Sequence, residues 1–149
     1  MRSSEVECSM GEAKNREIWQ WLTKSQHDLG SAYRPMEGEE PYLDTAVYHC
    51  QQAAEKAIKA YLTYGDIFFE RTHNLIVLLA FCMPSEPAFA QWRAEAEMLT
   101  PYATEFRYPG DILNPEMDEV KQALVAAESI VDFVIQLLPE EVRPSTTHE

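Results

Sequence analysis

Apolar residues recur at three- and four-residue spacings through most of the chain, the signature of helices that bury one face. From about Lys14, the positions Ile18, Trp19, Trp21, Leu22, Leu29, Ala32, Tyr33 and Met36 keep this rhythm until Pro35 closes the segment. After an acidic connector at Glu37–Pro41, a second helix is predicted over Leu43–Tyr64, ending at Gly65 as a C′ residue. Its core stripe is Ala46, Cys50, Ala53, Ala57, Ala60 and Tyr61, and so many alanines require a second helix packed close by. The all-round apolar segment Leu75–Met83 predicts a short buried helix capped by Thr72. Ser85 is the expected N-cap of a fourth helix reaching about Phe106, with a kink or restart at Pro101. Asn114-Pro115-Glu116 reads as the start of a fifth, whose face Val120, Leu124, Ala127, Val131, Val134 and Leu138 runs to Pro139.

No segment alternates in the manner of a strand. The expected fold is all-α: an up-and-down antiparallel bundle of four to five helices over residues 14–138, preceded by a flexible leader at 1–13 and followed by a disordered tail at 139–149. The length of 149 residues suits one domain with its own core. The longest apolar run falls far short of the roughly 20 residues that span a bilayer, and the N-terminus has no signal-peptide core. A cytoplasmic protein is expected.

Charge narrows the choice of partners. Twelve basic against twenty-five acidic residues leave a formal net charge of −13, a field that opposes non-specific nucleic-acid binding and docking on anionic lipid. The scarce cations therefore deserve separate scrutiny. Cys8, Cys50 and Cys82 form no C-x-x-C pair, which points to neither a disulfide framework nor a zinc site.

On the second helix, His49, Gln52 and Lys56 fall on one narrow stripe, with Gln51, Glu55 and Lys59 further round. An imidazole, an amide and an ammonium side by side suit a phosphate or a base edge. The same pattern also describes a solvated face, with Glu55 and Lys59 as an i, i+4 pair worth a few tenths of a kcal/mol. Arg107-Tyr108-Pro109 sits at a turn, where Pro109 holds Tyr108 extended and Arg107 offers a planar fork to a phosphate or carboxylate, or caps the helix before it. Arg71-Thr72-His73 and His27-Asp28 supply the secondary candidates His73 and Asp28. Neither His49 nor His73 has a second ligand at i+3 or i+4, so no metal is expected. With five glycines there is no phosphate-binding glycine loop, and no cofactor is expected.

The run Ala46-Val47-Tyr48-His49-Cys50-Gln51-Gln52-Ala53-Ala54-Glu55-Lys56-Ala57-Ile58-Lys59-Ala60-Tyr61-Leu62 closely resembles the signature helix of the HEPN family, the higher eukaryotes and prokaryotes nucleotide-binding domain. Trp21-Leu22 with His27-Asp28-Leu29, Thr72-His73-Asn74-Leu75 and Arg107-Tyr108-Pro109 are similar to further family marks in the same order. The resemblance covers roughly residues 15–138. It implies a four- or five-helix bundle, commonly a homodimer, that binds a nucleotide or pairs with a minimal nucleotidyltransferase in a toxin–antitoxin-like two-component system of bacteria or archaea. Lys56 and Arg107 would then hold phosphate, His49 and Gln52 would hydrogen-bond, and Tyr108 would stack on a base.

Some members are ribonucleases that use an arginine followed, after four to six residues, by a histidine. Here the bundle lacks that spacing. Arg143 and His148 match it only in the polar tail, Arg71 and His73 are too close together, and Arg107 has no histidine in range. The expectation is a module that is not an enzyme by itself. The alternatives are a metal-independent endoribonuclease with a non-standard pair, Arg107 with His49 or His73, and a purely structural dimerisation module.

Overall fold

The computed structural model describes residues 2–103 and 114–145, with side chains from Met10 onward. Five α-helices are formed among them: α1 (Arg2–Tyr33), α2 (Leu43–Tyr64), α3 (Leu75–Cys82), α4 (Arg93–Leu99) and α5 (Met117–Leu137). Four short 3₁₀ turns accompany them, at Arg34–Met36, Pro87–Trp92, Thr100–Ala103 and Glu140–Val142. No strand occurs among the described residues, and none of their helices is long and apolar enough to cross a membrane.

The up-and-down bundle is organised around α2, which packs along α1, then α5, then α3. The expected stripe of α2 is buried throughout, from Ala46 and Cys50 to Ala60 and Tyr61. Alanines on α5 answer it, with Ala123, Ala126 and Ala127 also buried, so both backbones approach without a large side chain between them. Ile18 and Leu22 close the core from α1, and Leu75, Leu78 and Leu79 close it from α3. α3 is less enclosed than its composition implies: Ile76, Val77 and Phe81 are half-buried and Ala80 is exposed.

Several ends differ from the sequence-based expectation. α1 begins at Arg2, so helix extends through the stretch read as a leader, where there is no proline to stop it and no apolar stripe to announce it. α3 is capped by Asn74, whose Oδ1 accepts from Ile76 N at 2.9 Å and Val77 N at 3.3 Å, while Thr72 Oγ1 accepts from Asn74 N one step earlier. Ser85 does not cap the fourth helix. Its hydroxyl donates to the Cys82 carbonyl and meets Tyr61 Oη at 2.9 Å, and Glu86 accepts from Ala88 N instead. The long fourth helix is shortened by its prolines, with Pro87 and Pro101 each lying in a 3₁₀ turn on either side of α4. α5 starts two residues past Pro115, which is itself buried, so Asn114 is not its cap. At the end of α2, Gly65 has an ordinary φ of −81° and Asp66 takes the left-handed conformation at φ 53°.

Residues 140–143, just after Pro139, are held by packing and hydrogen bonds. Leu138 and Val142 are buried, the 140–142 turn contacts α1, and Arg143 donates to the Leu138 carbonyl from Nε at 3.0 Å and Nη2 at 2.8 Å. An apolar residue placed to reach the bundle, and a guanidinium on an open helix-end carbonyl, hold this segment where composition alone reads as a tail.

Phe89 joins the short pieces to the bundle, packing on Tyr61 with ring centroids 4.7 Å apart and edge-on to Phe133 at 5.0 Å. Phe89→Ala is expected to lower stability by about 3–5 kcal/mol in urea unfolding. Val125→Ala, at a position 63% exposed, is expected to stay within about 0.5 kcal/mol of the parent.

Candidate functional site

The polar positions of α2 are not a solvated face. Gln51, Gln52, Glu55 and Lys59 are all buried, Gln51 and Glu55 at 0% and 3% exposure. Groups withdrawn from water in this way need partners inside the protein. Glu55 receives most of them: Lys59 Nζ donates to Oε2 at 2.9 Å, Gln51 Nε2 donates to Oε1 at 3.1 Å, and His73 Nδ1 lies 2.9 Å from Oε1. Gln51 also donates to the His73 carbonyl at 2.9 Å, fastening the α2–α3 connector to α2. Lys59 lies 5.7 Å from the centroid of the Trp21 ring, a cation–π contact that covers its charge from the α1 side.

Burial alone would raise the Glu55 carboxyl. The hydrogen bonds from Lys59, Gln51 and His73, together with the Lys59 charge, outweigh it and hold Glu55 below its ordinary value of 4.5.

One α2 turn towards the N-terminus, a second cluster straddles the α1–α2 seam. Asp28 of α1 is buried, and its two oxygens serve two side chains of α2: His49 Nδ1 stands 2.8 Å from Oδ1, and Lys56 Nζ pairs with Oδ2. His49 and Lys56 are seven residues apart, about 10 Å along the helix, yet their heads meet on one carboxylate. The reach of the lysine stem, which leans back towards the helix N-terminus, makes this possible. Nearby, Ser25 of α1 is fully buried and donates to the Ala53 carbonyl at 2.7 Å, keeping the two helices close. Gln52, between His49 and Lys56 in the sequence, donates from Nε2 to Gln51 Oε1 of the first cluster at 2.6 Å.

Of the residues singled out in the sequence, His49, Lys56 and Asp28 therefore come together, with Gln52 at their flank. His73 belongs to the Glu55 cluster, on the connector, with its side chain 65% exposed. Arg107 and Tyr108 lie outside the described residues. The side chains of His49 and Lys56 are 24% and 22% exposed, so these two sit at an accessible edge while Asp28 behind them does not. The open groove between α4 and α5, lined by Met98, Lys121 and Val125 among others, shares no residue with this edge.

Sequence reasoning missed the inward-facing group of Gln51, Glu55, Lys59, Trp21 and Ser25. The signal was available. Trp21, Ser25 and Asp28 keep an i, i+4, i+7 register on α1, and Gln51, Glu55 and Lys59 keep i, i+4, i+8 on α2.

No cluster of three or more His, Cys, Asp or Glu suited to a metal ion exists among the described residues. Burial pushes the Cys50 and Cys82 thiols up to about 12, so neither is a nucleophile at neutral pH. Tyr33, through its hydrogen bond to Glu128, is likewise raised to about 12.

The Glu55 cluster generates a pH prediction. With the folded value depressed, the unfolded chain takes up the proton first as pH falls. The stabilisation by ionised Glu55 is complete above about pH 4.5 and is lost as pH falls through the lower folded value. Wild type is therefore expected to exceed Glu55→Gln in urea midpoint at pH 7, with the gap closing as pH drops below 4.5. A gap that stays constant down to pH 3 counts against an ionised, internally paired Glu55.

The model of the HEPN domain matches residues 18–141. Among solved structures, the crystal structure of an archaeal HEPN homologue superposes with a TM-score of 0.61 at 22% identity, covering 80% of this chain and 96% of that one, a likeness of fold. Comparison with curated proteins finds no match. The family match runs from the middle of α1 to the turn after α5 and takes in both polar clusters, and the chain belongs to the HEPN domain family.

Proposed function

We propose that this HEPN chain is a nucleotide-binding module that acts beside a nucleotidyltransferase partner and does not cleave RNA by itself. The observation that carries the reading is the accessible pair His49 and Lys56, set side by side on the buried Asp28 carboxylate. An ammonium offers three hydrogens, and Asp28 engages Lys56 at one oxygen, which leaves donors for a phosphate. In a chain of net charge −13, a cationic edge of this kind favours a small anion over a polyanion, since long-range repulsion grows with the partner's charge. The partner half of the proposal rests on the sequence resemblance to bacterial members of the family.

The ribonuclease alternative has less support. Arg143, half of the one matching Arg–His spacing, is engaged on the Leu138 carbonyl at the end of α5. His73, one of the two histidines of a non-standard pair, is directed by Nδ1 to Glu55.

Thermal unfolding against a millimolar panel of nucleotides tests the reading. A ligand at 100 times its dissociation constant adds about 2.7 kcal/mol, which in a chain of this size raises the melting temperature by roughly 5–10 °C. Such a shift is expected for at least one nucleotide. Lys56→Ala, compared with its own unliganded melt, is expected to abolish it. A flat panel refutes nucleotide binding, and RNA cleavage by the purified wild type refutes the non-catalytic assignment.

A further inference from the structure

The Asp28 carboxylate decides which nitrogen of His49 carries the proton. Lys56 is a donor only, so Asp28 beside it is an acceptor with no hydrogen to give. The hydrogen of the 2.8 Å contact between His49 Nδ1 and Asp28 Oδ1 therefore belongs to Nδ1. A neutral imidazole has one N–H, and once Nδ1 holds it, Nε2 presents a lone pair. The hydrogen bonds of His49 among the described residues leave that nitrogen open, on a side chain 24% exposed. With the imidazole in its neutral form, the exposed edge thus pairs one cation, Lys56, with one acceptor, His49 Nε2. It is not a pair of donors.

We propose that this edge is a mixed subsite for a ligand that carries a hydrogen-bond donor close to an anionic group, as a nucleoside monophosphate does with its sugar hydroxyls or base amine. The inference rests on the nucleotide reading above and specifies it. A bare anion satisfies Lys56 but sets its own lone pairs against that of Nε2. A donor beside the anion satisfies both groups. The geometry recurs at His73, whose Nδ1 lies 2.9 Å from Glu55, a carboxylate held as an acceptor by Lys59 and Gln51. His73 therefore shares the Nδ1–H form and serves as an internal control.

Two measurements on the full chain test the proposal. Long-range ¹H–¹⁵N spectra of the uniformly labelled protein at mildly alkaline pH read the tautomer of each histidine. His49 and His73 are expected as Nδ1–H, and Asp28→Asn is expected to shift His49 alone. Titrations then compare adenosine monophosphate with its 2′,3′-dideoxy analogue, with purine riboside monophosphate and with sulfate. Sulfate and one of the two analogues are expected to bind roughly tenfold or more weakly than adenosine monophosphate, the difference a hydrogen bond supplies. The weaker analogue identifies the donor as sugar hydroxyl or base amine.

His49→Leu is expected to level the nucleotide series while leaving binding through Lys56, a change that general destabilisation does not produce. An Nε2–H tautomer at His49, or equal affinity for all three nucleotides, overturns the proposal. Binding without discrimination removes this inference alone, whereas absence of any nucleotide binding removes the earlier reading with it.

Discussion

Glu55 and Lys59 lie inside the bundle, and the rest of the architecture accommodates that ion pair. α2 is covered by α1, α3 and α5, so its Gln51, Glu55 and Lys59 are withdrawn from water. A carboxylate and an ammonium in such a place are tolerable only if each is paired and the remaining lone pairs and hydrogens are satisfied. Gln51 and His73 complete the carboxylate, and the Trp21 face covers the ammonium. Each partner comes from a different segment: Trp21 from α1, Gln51 from α2 itself, His73 from the connector before α3. Satisfying one buried pair thus fixes the spacing of α1 and α2 and the path of the chain into α3.

The second cluster follows from the same constraint, nearer the surface. Asp28 is buried and must be neutralised, and α2 supplies Lys56 and His49 from positions two turns apart. Because the carboxylate is inside and Lys56 and His49 are at the edge, the pairing also orients what the protein presents outward. Packing and recognition are here two consequences of one arrangement: the interaction that closes the α1–α2 seam sets the donor and acceptor pattern on its rim.

Much of this was legible in the sequence, for identifiable reasons. The alanine stripe of α2 and the aliphatic face of α5 are periodic, and periodicity reports burial directly. Both ends of α2 and the interruptions at Pro35 and Pro101 were legible because proline and glycine act on the backbone locally. Caps were less so. Thr72, Ser85 and Asn114 are all competent capping residues, but Asn74, Glu86 and Glu116 occupy those positions, since a cap depends on where the packed helix begins. The turn after Pro139 was read as tail because the burial of Val142 depends on α1, far away in sequence.

What the sequence determined by itself is the helical architecture, the small-residue face that brings helices together, and the identity of the residues able to carry charge chemistry. What only the tertiary structure decided is which of those charges are inside. Gln51, Glu55 and Lys59 look like a wet face on an isolated helix, and Glu55–Lys59 like a minor surface pair. Whether a polar stripe meets water or a tryptophan is a property of the neighbouring helix, and no pattern along α2 alone contains it. The same holds for Asp28. Its role arises from the approach of two helices, which the Ser25 hydrogen bond to the Ala53 carbonyl helps to hold.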